Sequence, residues 1–146
     1  KLHLRVDAES QLPISANVSA GNVHDITRAS NVLRQAKVSY SRFMPDYVLA
    51  DKGYSSDPLR RKVKKHYRSV PLFDANTQHK KAMTRQRNDP RHRVLRRMRT
   101  SVERTFSQLK RMHGLNDLKV RGRSKVETHV YLTLVALQAV AAITVV

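Results

Sequence analysis

Hydrophobic and polar residues alternate strictly in two segments close to the start of the chain. In residues 2–6 and again in residues 12–18, every second position is apolar, which is typical of strands that are buried on one face. The residues between them, 7–11, have the composition and the length of a hairpin turn. The pattern therefore predicts an antiparallel hairpin with Asp7 in its turn.

Helical spacing replaces this alternation in the next segment. Apolar side chains recur three or four residues apart, at Ile26, Ala29, Leu33 and Ala36. This periodicity is typical of a helix with one buried face. Asn22 and Asp25 come before or at its start, and either residue is suited to cap exposed backbone N–H groups. The sequence predicts a helix that begins near these two residues.

A short, almost continuous apolar run, residues 46–51, ends in Asp51. Such a run is typical of a central strand covered on both faces, and it places Asp51 at the carboxyl end of that strand. Farther on, Asp57 followed by Pro58 predicts a helix start with Asp57 as the cap. Residues 70–73 have strand composition, but their proline withholds a backbone N–H and favours an edge strand or a bulge.

The second half of the chain combines a polar stretch with two helices. Residues 74–88 are polar, basic and without periodicity, which predicts a mobile loop. A long helix is predicted from Asp89–Pro90 to Gly114, because proline is favoured in a first turn and glycine just past a last turn. The uncharged run from Val130 to Val146 predicts a buried helix rather than a membrane span, because polar residues interrupt it.

The long helix is predicted to carry three strips of side chains. Leu95, Met98, Val102, Phe106 and Leu109 form an apolar strip; Arg96, Arg99, Glu103 and Lys110 border it; Arg93, Arg97, Arg104 and Arg111 lie on the far side. Glu103 is the only acid between Asp89 and Asp117. It either forms a helical ion pair with Arg99 or binds a metal ion that prefers carboxylate oxygens. Asp51 is likewise either a turn residue or a second oxygen donor.

The composition adds a strong charge to this picture. The chain has 29 Lys and Arg against 11 Asp and Glu, a formal net charge of +18 and a sequence pI near 11.1. This balance predicts a polyanionic partner, and nucleic acid is favoured over a membrane because the basic residues are spread over several segments. The basic loop 74–88 is expected to become ordered against DNA. The absence of cysteine excludes disulfides and thiolate metal sites.

Four segments follow one another in a characteristic order. They are the hairpin 1–18, Gly21-Asn22-Val23-His24-Asp25, Ala50-Asp51-Lys52-Gly53-Tyr54 and Ser101-Val102-Glu103-Arg104-Thr105-Phe106-Ser107-Gln108-Leu109-Lys110. In this order they resemble the DDE transposases of bacterial insertion sequences, and the resemblance covers nearly the whole chain. The last two segments are specific to that family, whereas the first two are weak signals on their own.

The resemblance implies an α/β fold of the ribonuclease H-like kind. In that fold a mixed sheet, made of the N-terminal antiparallel hairpin and the central strand, is flanked by helices, and residues 1–146 form one partial catalytic domain. Asp51 is implied to be the second acid, and Glu103 the third, of a triad that binds Mg²⁺ or Mn²⁺. The resemblance implies DNA contacts at Arg99 and Lys110, and the further DNA contacts that we expect are Lys52, Tyr54, Arg96, Arg104 and Arg111.

The sequence departs from the family pattern in two places. Arg96 stands where the family often has tyrosine, so its expected role is a phosphate contact. The family's first Asp lies on a strand upstream of Lys1, and because the chain begins without Met inside a strand-like pattern, we expect a fragment that lacks this strand. Asp7 is not expected to replace that acid. His24 and Asp25 are interpreted as a structural loop and helix cap, with a supporting role near the site as the alternative.

The implied activity is metal-dependent phosphodiester cleavage and strand transfer in the transposition of an insertion sequence. The expected partners are double-stranded DNA, at the transposon ends and the target, and further copies of the chain, in the bacterial cytoplasm at the nucleoid and away from membranes. With two acids, the fragment alone is expected to bind metal weakly and to perform no strand transfer. Two alternatives stay open: a non-catalytic basic nucleic-acid-binding protein and a degenerate remnant of an element.

Overall fold

The computed structural model describes residues 1–40, 42–73, 94–95 and 97–144. In chain order the elements are β1 (Leu2–Val6), β2 (Pro13–Val18), α1 (Asp25–Ser39), β3 (Tyr47–Ala50), a short 3₁₀ turn (Lys52–Tyr54), α2 (Asp57–Tyr67), β4 (Val70–Phe73), α3 (Thr100–Met112) and α4 (Arg123–Thr144). The predicted α/β class is confirmed. The expected single mixed sheet of the hairpin and the central strand is not found within the described residues, where the strands form two separate two-stranded sheets, β1 with β2 and β3 with β4.

The chain divides into two compact units. One comprises Lys1–Val23 and Ser101–Val146, and the other comprises His24–Thr100. We call the first the hairpin unit, after β1 and β2, and the second the crossover unit, after the β3, α2 and β4 connection.

The predicted hairpin is confirmed by the antiparallel pairing of β1 with β2. Its turn is organised by Asp7, whose Oδ2 accepts hydrogen bonds from the backbone N–H of Ser10 at 2.8 Å and from the Ser10 hydroxyl at 2.7 Å. These two bonds hold the pKa of Asp7 below its usual value, because they favour the ionised carboxylate. The interpretation of Asp7 as a turn residue is therefore confirmed.

The core of the hairpin unit lies between β2, α3 and α4. Its buried side chains are Ala16, Val18, Leu109, Val130, Leu134 and Leu137, with Leu2 and Leu4 packed against them. Two polar bonds join α4 to the backbone of β2: the Tyr131 hydroxyl donates to Ala16 O at 3.1 Å, and Gln138 Nε2 donates to Pro13 O at 2.8 Å. The helix is thus fixed on the sheet by both apolar packing and directional bonds.

The prediction that the last helix is buried holds for only one face of α4. Leu132 and Ile143 are 65% and 77% exposed, because a single apolar face of a two-stranded hairpin can cover only one side of a helix. By length and composition the stretch Arg123–Ile143 would suffice to cross a membrane, and 22% of it is buried in this structure. The bonds from Tyr131 and Gln138 to β2 hold the buried face of α4 against the hairpin.

The buried face of α3 is not the predicted apolar strip. Ser101, Thr105 and Leu109 are the buried residues, whereas Val102 and Phe106 are half-buried. At about 100° per residue, the buried face is rotated by about 60° from the predicted one. The cause is polar: the Ser101 hydroxyl donates to Ala8 O at 3.0 Å, and the Thr105 hydroxyl donates to Gln11 O at 2.9 Å.

The two ends of the predicted long helix have different outcomes. The stop is confirmed, because Gly114 has φ +71° and the N–H groups of His113 and Leu115 bond to Leu109 O, which is a glycine-terminated helix end. Residues 94–95 and 97–98 are helical as predicted, but the helix is not continuous, because Arg99 lies in a turn just before Thr100, where α3 begins. The predicted start at Asp89–Pro90 and the predicted loop 74–88 lie outside the described residues.

In the crossover unit, β3 and β4 pair in parallel, with Ala50 opposite Phe73, and α2 makes the connection that parallel strands require. The predicted strand at 70–73 is confirmed. The prediction that β3 is central and covered on both faces is wrong for the described part of the chain, because β4 is its one partner there and Tyr47 is exposed. The core of this unit contains Ala29, Leu33, Leu59, Val63, Tyr67 and Phe73.

Both predicted helix caps in this unit are displaced. The cap of α1 is His24, not Asn22 or Asp25, and its side chain makes no capping bond. The cap of α2 is Ser56, whose hydroxyl oxygen accepts from the Leu59 N–H at 3.3 Å. The aspartates expected as caps lie one position inside each helix, where a negative charge still stabilises the positive helix end.

Leu109 is fully buried in the hairpin unit, so Leu109→Ala is expected to lower the free energy of unfolding by about 2–5 kcal/mol through reduced apolar burial and a residual cavity. Met112 lies on the same helix but is 74% exposed. Met112→Ala is the matched control, with an expected change within about 0.5 kcal/mol. Denaturant unfolding followed by circular dichroism measures both, and equal losses of stability in the two variants would contradict the core described above.

Candidate active site

Asp51 lies where β3 ends. It is the residue that caps the 3₁₀ turn Lys52–Tyr54, and its Oδ1 accepts a hydrogen bond from the Gly53 N–H at 3.0 Å. The side chain is exposed. The predicted position at the carboxyl end of a strand is confirmed, and so is the interpretation as a turn residue. The turn holds the carboxylate in a defined orientation while leaving it accessible to solvent.

A second carboxylate reaches the same turn. A Cβ atom built on Gly53 would lie 3.3 Å from Asp51 Oδ1 and 3.4 Å from Asp25 Oδ2. The two oxygens are therefore no farther apart than the sum of these distances, and glycine is the residue that leaves room for both. Asp25 comes from the first turn of α1. The local sequence pattern does not predict that Asp25 lies near Asp51, because the two residues are brought together by the packing of α1 beside the turn that follows β3.

Tyr54 is the third member of this cluster. Burial, followed by the charges of Asp25 and Asp51, raises the pKa of its phenol to about 12. The phenol is therefore protonated throughout the neutral range and keeps an O–H group that can donate a hydrogen bond. Its neighbour Lys52 is exposed. The predicted DNA contacts Lys52 and Tyr54 thus lie in the same turn as Gly53.

Arg60, a residue of α2, contacts both the residue that follows the 3₁₀ turn and the end of β4. Its Nη2 donates to the Ser55 hydroxyl oxygen at 3.1 Å and to Phe73 O at 3.0 Å, and its guanidinium lies 5.0 Å from the centre of the Phe73 ring. It thereby links the residue after the 3₁₀ turn to the end of β4. No pattern in the sequence indicates this role, because Arg60 is one of many basic residues in α2.

Glu103 belongs to the hairpin unit and is exposed in the first turn of α3. The prediction that it borders the buried face is wrong. At about 100° per residue it lies about 160° from the centre of the face formed by Ser101, Thr105 and Leu109. The rotation of α3 that buries the two hydroxyls therefore turns the Glu103 carboxylate outward.

The remaining predicted DNA contacts fall into three groups. Arg104, Lys110 and Arg111 are exposed on α3, and Arg99 is half-buried in the turn before it. Arg96 lies outside the described residues. Within the part of the chain that the structure describes, no three His, Cys, Asp or Glu side chains gather as a metal centre would require. The exposed carboxylates of Asp51 and Glu103 nevertheless have the hard oxygen atoms that Mg²⁺ and Mn²⁺ prefer.

The raised pKa of Tyr54 makes a prediction for alkaline pH. The pKa of Tyr54 in the folded protein, about 12, exceeds the ordinary tyrosine pKa of 10.0. The contribution of protonated Tyr54 to the free energy of unfolding is therefore complete below the ordinary pKa and is lost as the pH rises towards the pKa of the folded protein. The measurement is tyrosinate absorbance as a function of pH, recorded for the wild type and for Tyr54→Phe. The difference between the two curves, which reports Tyr54 alone, is expected to have its midpoint near the raised pKa.

Removing one neighbouring charge tests the cause of that shift. Asp25→Asn is expected to move the Tyr54 midpoint towards the ordinary tyrosine value, because it removes a nearby negative charge that disfavours tyrosinate. Asp46→Asn removes an exposed carboxylate elsewhere in the crossover unit and is the control. A Tyr54 midpoint that is ordinary already in the wild type, or that moves equally in both variants, would contradict the cluster.

Comparison with known proteins identifies a family. Residues 1–138 match the family described as the transposase DDE domain, and the match covers all of the crossover unit and most of the hairpin unit. No curated protein and no solved structure matches the chain significantly. The matching family acts in DNA transposition, has DNA as its substrate and generally uses divalent metal ions. On the match over residues 1–138, this chain belongs to the transposase DDE domain family.

Proposed function

We propose that this chain forms the catalytic part of a DNA transposase that cleaves phosphodiester bonds and transfers strand ends in the transposition of a bacterial insertion sequence. The observation that carries the proposal is the exposed carboxylate of Asp51, held at the end of β3 by the Gly53 N–H, in a chain that matches the transposase DDE domain over residues 1–138. A ribonuclease H-like arrangement, in a single domain, is part of the same proposal.

Asp51 and Glu103 are the proposed catalytic carboxylates and metal ligands. Both carboxylates are exposed to solvent and are therefore accessible to a cation. Both have the oxygen atoms that Mg²⁺ or Mn²⁺ prefers as ligands. When bound, the metal ions would polarise the phosphodiester and stabilise the oxygen that leaves. The Gly53 N–H fixes one oxygen of Asp51, which limits the carboxylate to few orientations.

The proposed DNA contacts act on the phosphate backbone. Lys52, Arg104, Lys110 and Arg111 are exposed cations. Arg99 is included by the family resemblance, and Arg96, which stands where the family often has tyrosine, is included as a phosphate contact. The protonated phenol of Tyr54 would donate to a phosphate oxygen without adding charge. Phosphate contacts of this kind position a duplex and carry no sequence information by themselves, so the recognition of transposon ends and target is not assigned to them.

A second candidate function is that of a basic nucleic-acid-binding protein without catalysis. The observation in its favour is the formal net charge of +18, which by itself supports binding to any polyanion. The two candidates differ in what the carboxylates do: a binding protein has no use for Asp51 and Glu103, whereas a transposase depends on both. Assembly into a homo-oligomer on DNA and action at the nucleoid in the bacterial cytoplasm belong to the transposase proposal.

The carboxylates are tested in a transposase polypeptide that includes this chain. Asp51→Asn and Glu103→Gln are each expected to slow Mn²⁺-dependent nicking of supercoiled DNA by about 100-fold or more, because each variant loses a charged ligand from the reaction. DNA affinity, measured by fluorescence anisotropy, is expected to stay within about twofold, because neither acid attracts phosphate.

Asp46→Asn and Asp117→Asn are the controls, since both residues are exposed acids that have no proposed role. They are expected to nick DNA at the wild-type rate. Nicking that survives in Asp51→Asn or Glu103→Gln would contradict the catalytic assignment. A wild type that binds DNA and never nicks it, with or without metal, would favour the binding protein.

A further inference from the structure

The connection between α3 and α4 is anchored at both of its ends. Leu115 packs against the core of the hairpin unit, as does Val126 in the first turns of α4. The Leu115 N–H bonds to Leu109 O at 3.2 Å, the Asp117 N–H to Gly114 O at 3.3 Å, and the Val126 N–H to Gly122 O at 3.1 Å. The intervening residues are therefore presented from a fixed position rather than from a free loop.

Basic side chains dominate this connection. We call residues 119–125 the basic bend. Its four cations stand at every second position, Lys119, Arg121, Arg123 and Lys125, and all are exposed. No acid occurs between Asp117 and Glu127. The bend therefore concentrates four positive charges on the surface without a carboxylate among them in the sequence.

Two of these cations occupy an electrostatically unfavourable place. The first turns of α1, α2 and α3 each contain an acid, whereas the first turn of α4 contains none and carries Arg123 and Lys125 instead. A helix start is the positive end of the helix dipole, where cations are disfavoured. An anionic partner would relieve this repulsion and would meet the backbone N–H groups of the helix start as well.

The backbone at the centre of the bend is open to a close approach. Gly122 has φ +89°, and a Cβ built on it would meet nothing within 4 Å. The positive φ explains why glycine stands there. The empty surroundings leave the chain between Arg121 and Arg123 accessible to a partner that is itself bulky, as a nucleic-acid strand is.

We propose that the basic bend binds the phosphate backbone of double-stranded DNA, as a binding surface additional to the residues that the family resemblance assigns. The inference rests on the proposed function, since membership of a DNA-transposing family is what selects DNA among polyanions. The bend's cations contact phosphates, and the exposed backbone at Gly122 lets the strand approach the start of α4.

The test compares two variants of equal charge. The bend variant combines Lys119→Gln, Arg121→Gln, Arg123→Gln and Lys125→Gln. The control variant combines Arg61→Gln, Lys64→Gln, Lys65→Gln and Arg68→Gln, which removes two arginines and two lysines that are likewise exposed from α2 and its end. Affinity for a duplex of random sequence is measured by fluorescence anisotropy at several salt concentrations.

The bend variant is expected to bind the duplex about tenfold or more weakly at moderate salt, and its slope of log affinity against log salt is expected to fall by about 0.9 for each phosphate that it no longer binds. The affinity of the control is expected to fall much less. Equal decreases in both variants would overturn the proposal in favour of general charge attraction, and an unchanged affinity in the bend variant would overturn it outright. A wild type that fails to bind DNA would instead contradict the proposed function.

Two further measurements keep the result decisive. Lys119→Gln and Arg121→Gln, made singly, lie outside α4 and leave its start intact, so each is expected to lower the salt slope even if the fourfold variant folds poorly. Wild-type binding to single-stranded RNA and to vesicles containing phosphatidylserine is measured alongside. The proposal would be overturned if the wild type bound the RNA or the vesicles more tightly than the duplex and the bend variant lost that binding. The RNA or the membrane surface would then be the partner of the basic bend.

Discussion

Two hydroxyl groups fix the rotation of α3, and the exposure of its charged side chains depends on that rotation. The buried side chains of Ser101 and Thr105 donate to the carbonyl oxygens of Ala8 and Gln11, two half-buried residues of the hairpin turn. Hydrogen bonds of this kind contribute about 0.5–1.5 kcal/mol each to stability. The helix is thereby held with Glu103 and its basic neighbours in solvent, although purely apolar packing would favour a different face.

The turn after β3 combines a hydrogen bond with a close approach of two carboxylates. Gly53 donates its N–H to Asp51, and a Cβ at Gly53 would be in tight contact with the carboxylates of Asp51 and, from α1, Asp25. Placing two acids near one phenol makes ionisation of that phenol costly, which adds to burial in raising the pKa of Tyr54. The crossover unit therefore combines a negatively charged turn with a retained hydrogen-bond donor on a protein that is otherwise strongly basic.

The sequence predicts those features that follow from local periodicity. Alternation at residues 2–6 locates β1, the apolar run before Asp51 locates β3, and Gly114 marks the end of α3. Prediction fails where distant contacts decide. The hydroxyls of α3 are expected on a polar surface, and it is the hairpin turn that supplies acceptors for them. Asp25 is interpreted as a helix cap with a role near the site as the alternative, and its position beside Gly53 favours that alternative. The cap of α2 is missed because the adjacent residues Ser56 and Asp57 both satisfy the capping rule. The cap of α1 is missed because His24 is not a residue type that the rule favours.

The hydrogen bonds that complete the hairpin unit have a consequence for synthesis on the ribosome. They join residues that are 93, 94 and 125 positions apart in the chain, whereas the crossover unit lies within the continuous stretch His24–Thr100. Closing a long loop costs entropy that only the finished contacts repay. The crossover unit can therefore fold before α4 has been synthesised, whereas the side chains of β2 that pack against α4 reach these contacts only after α4 has emerged from the ribosome.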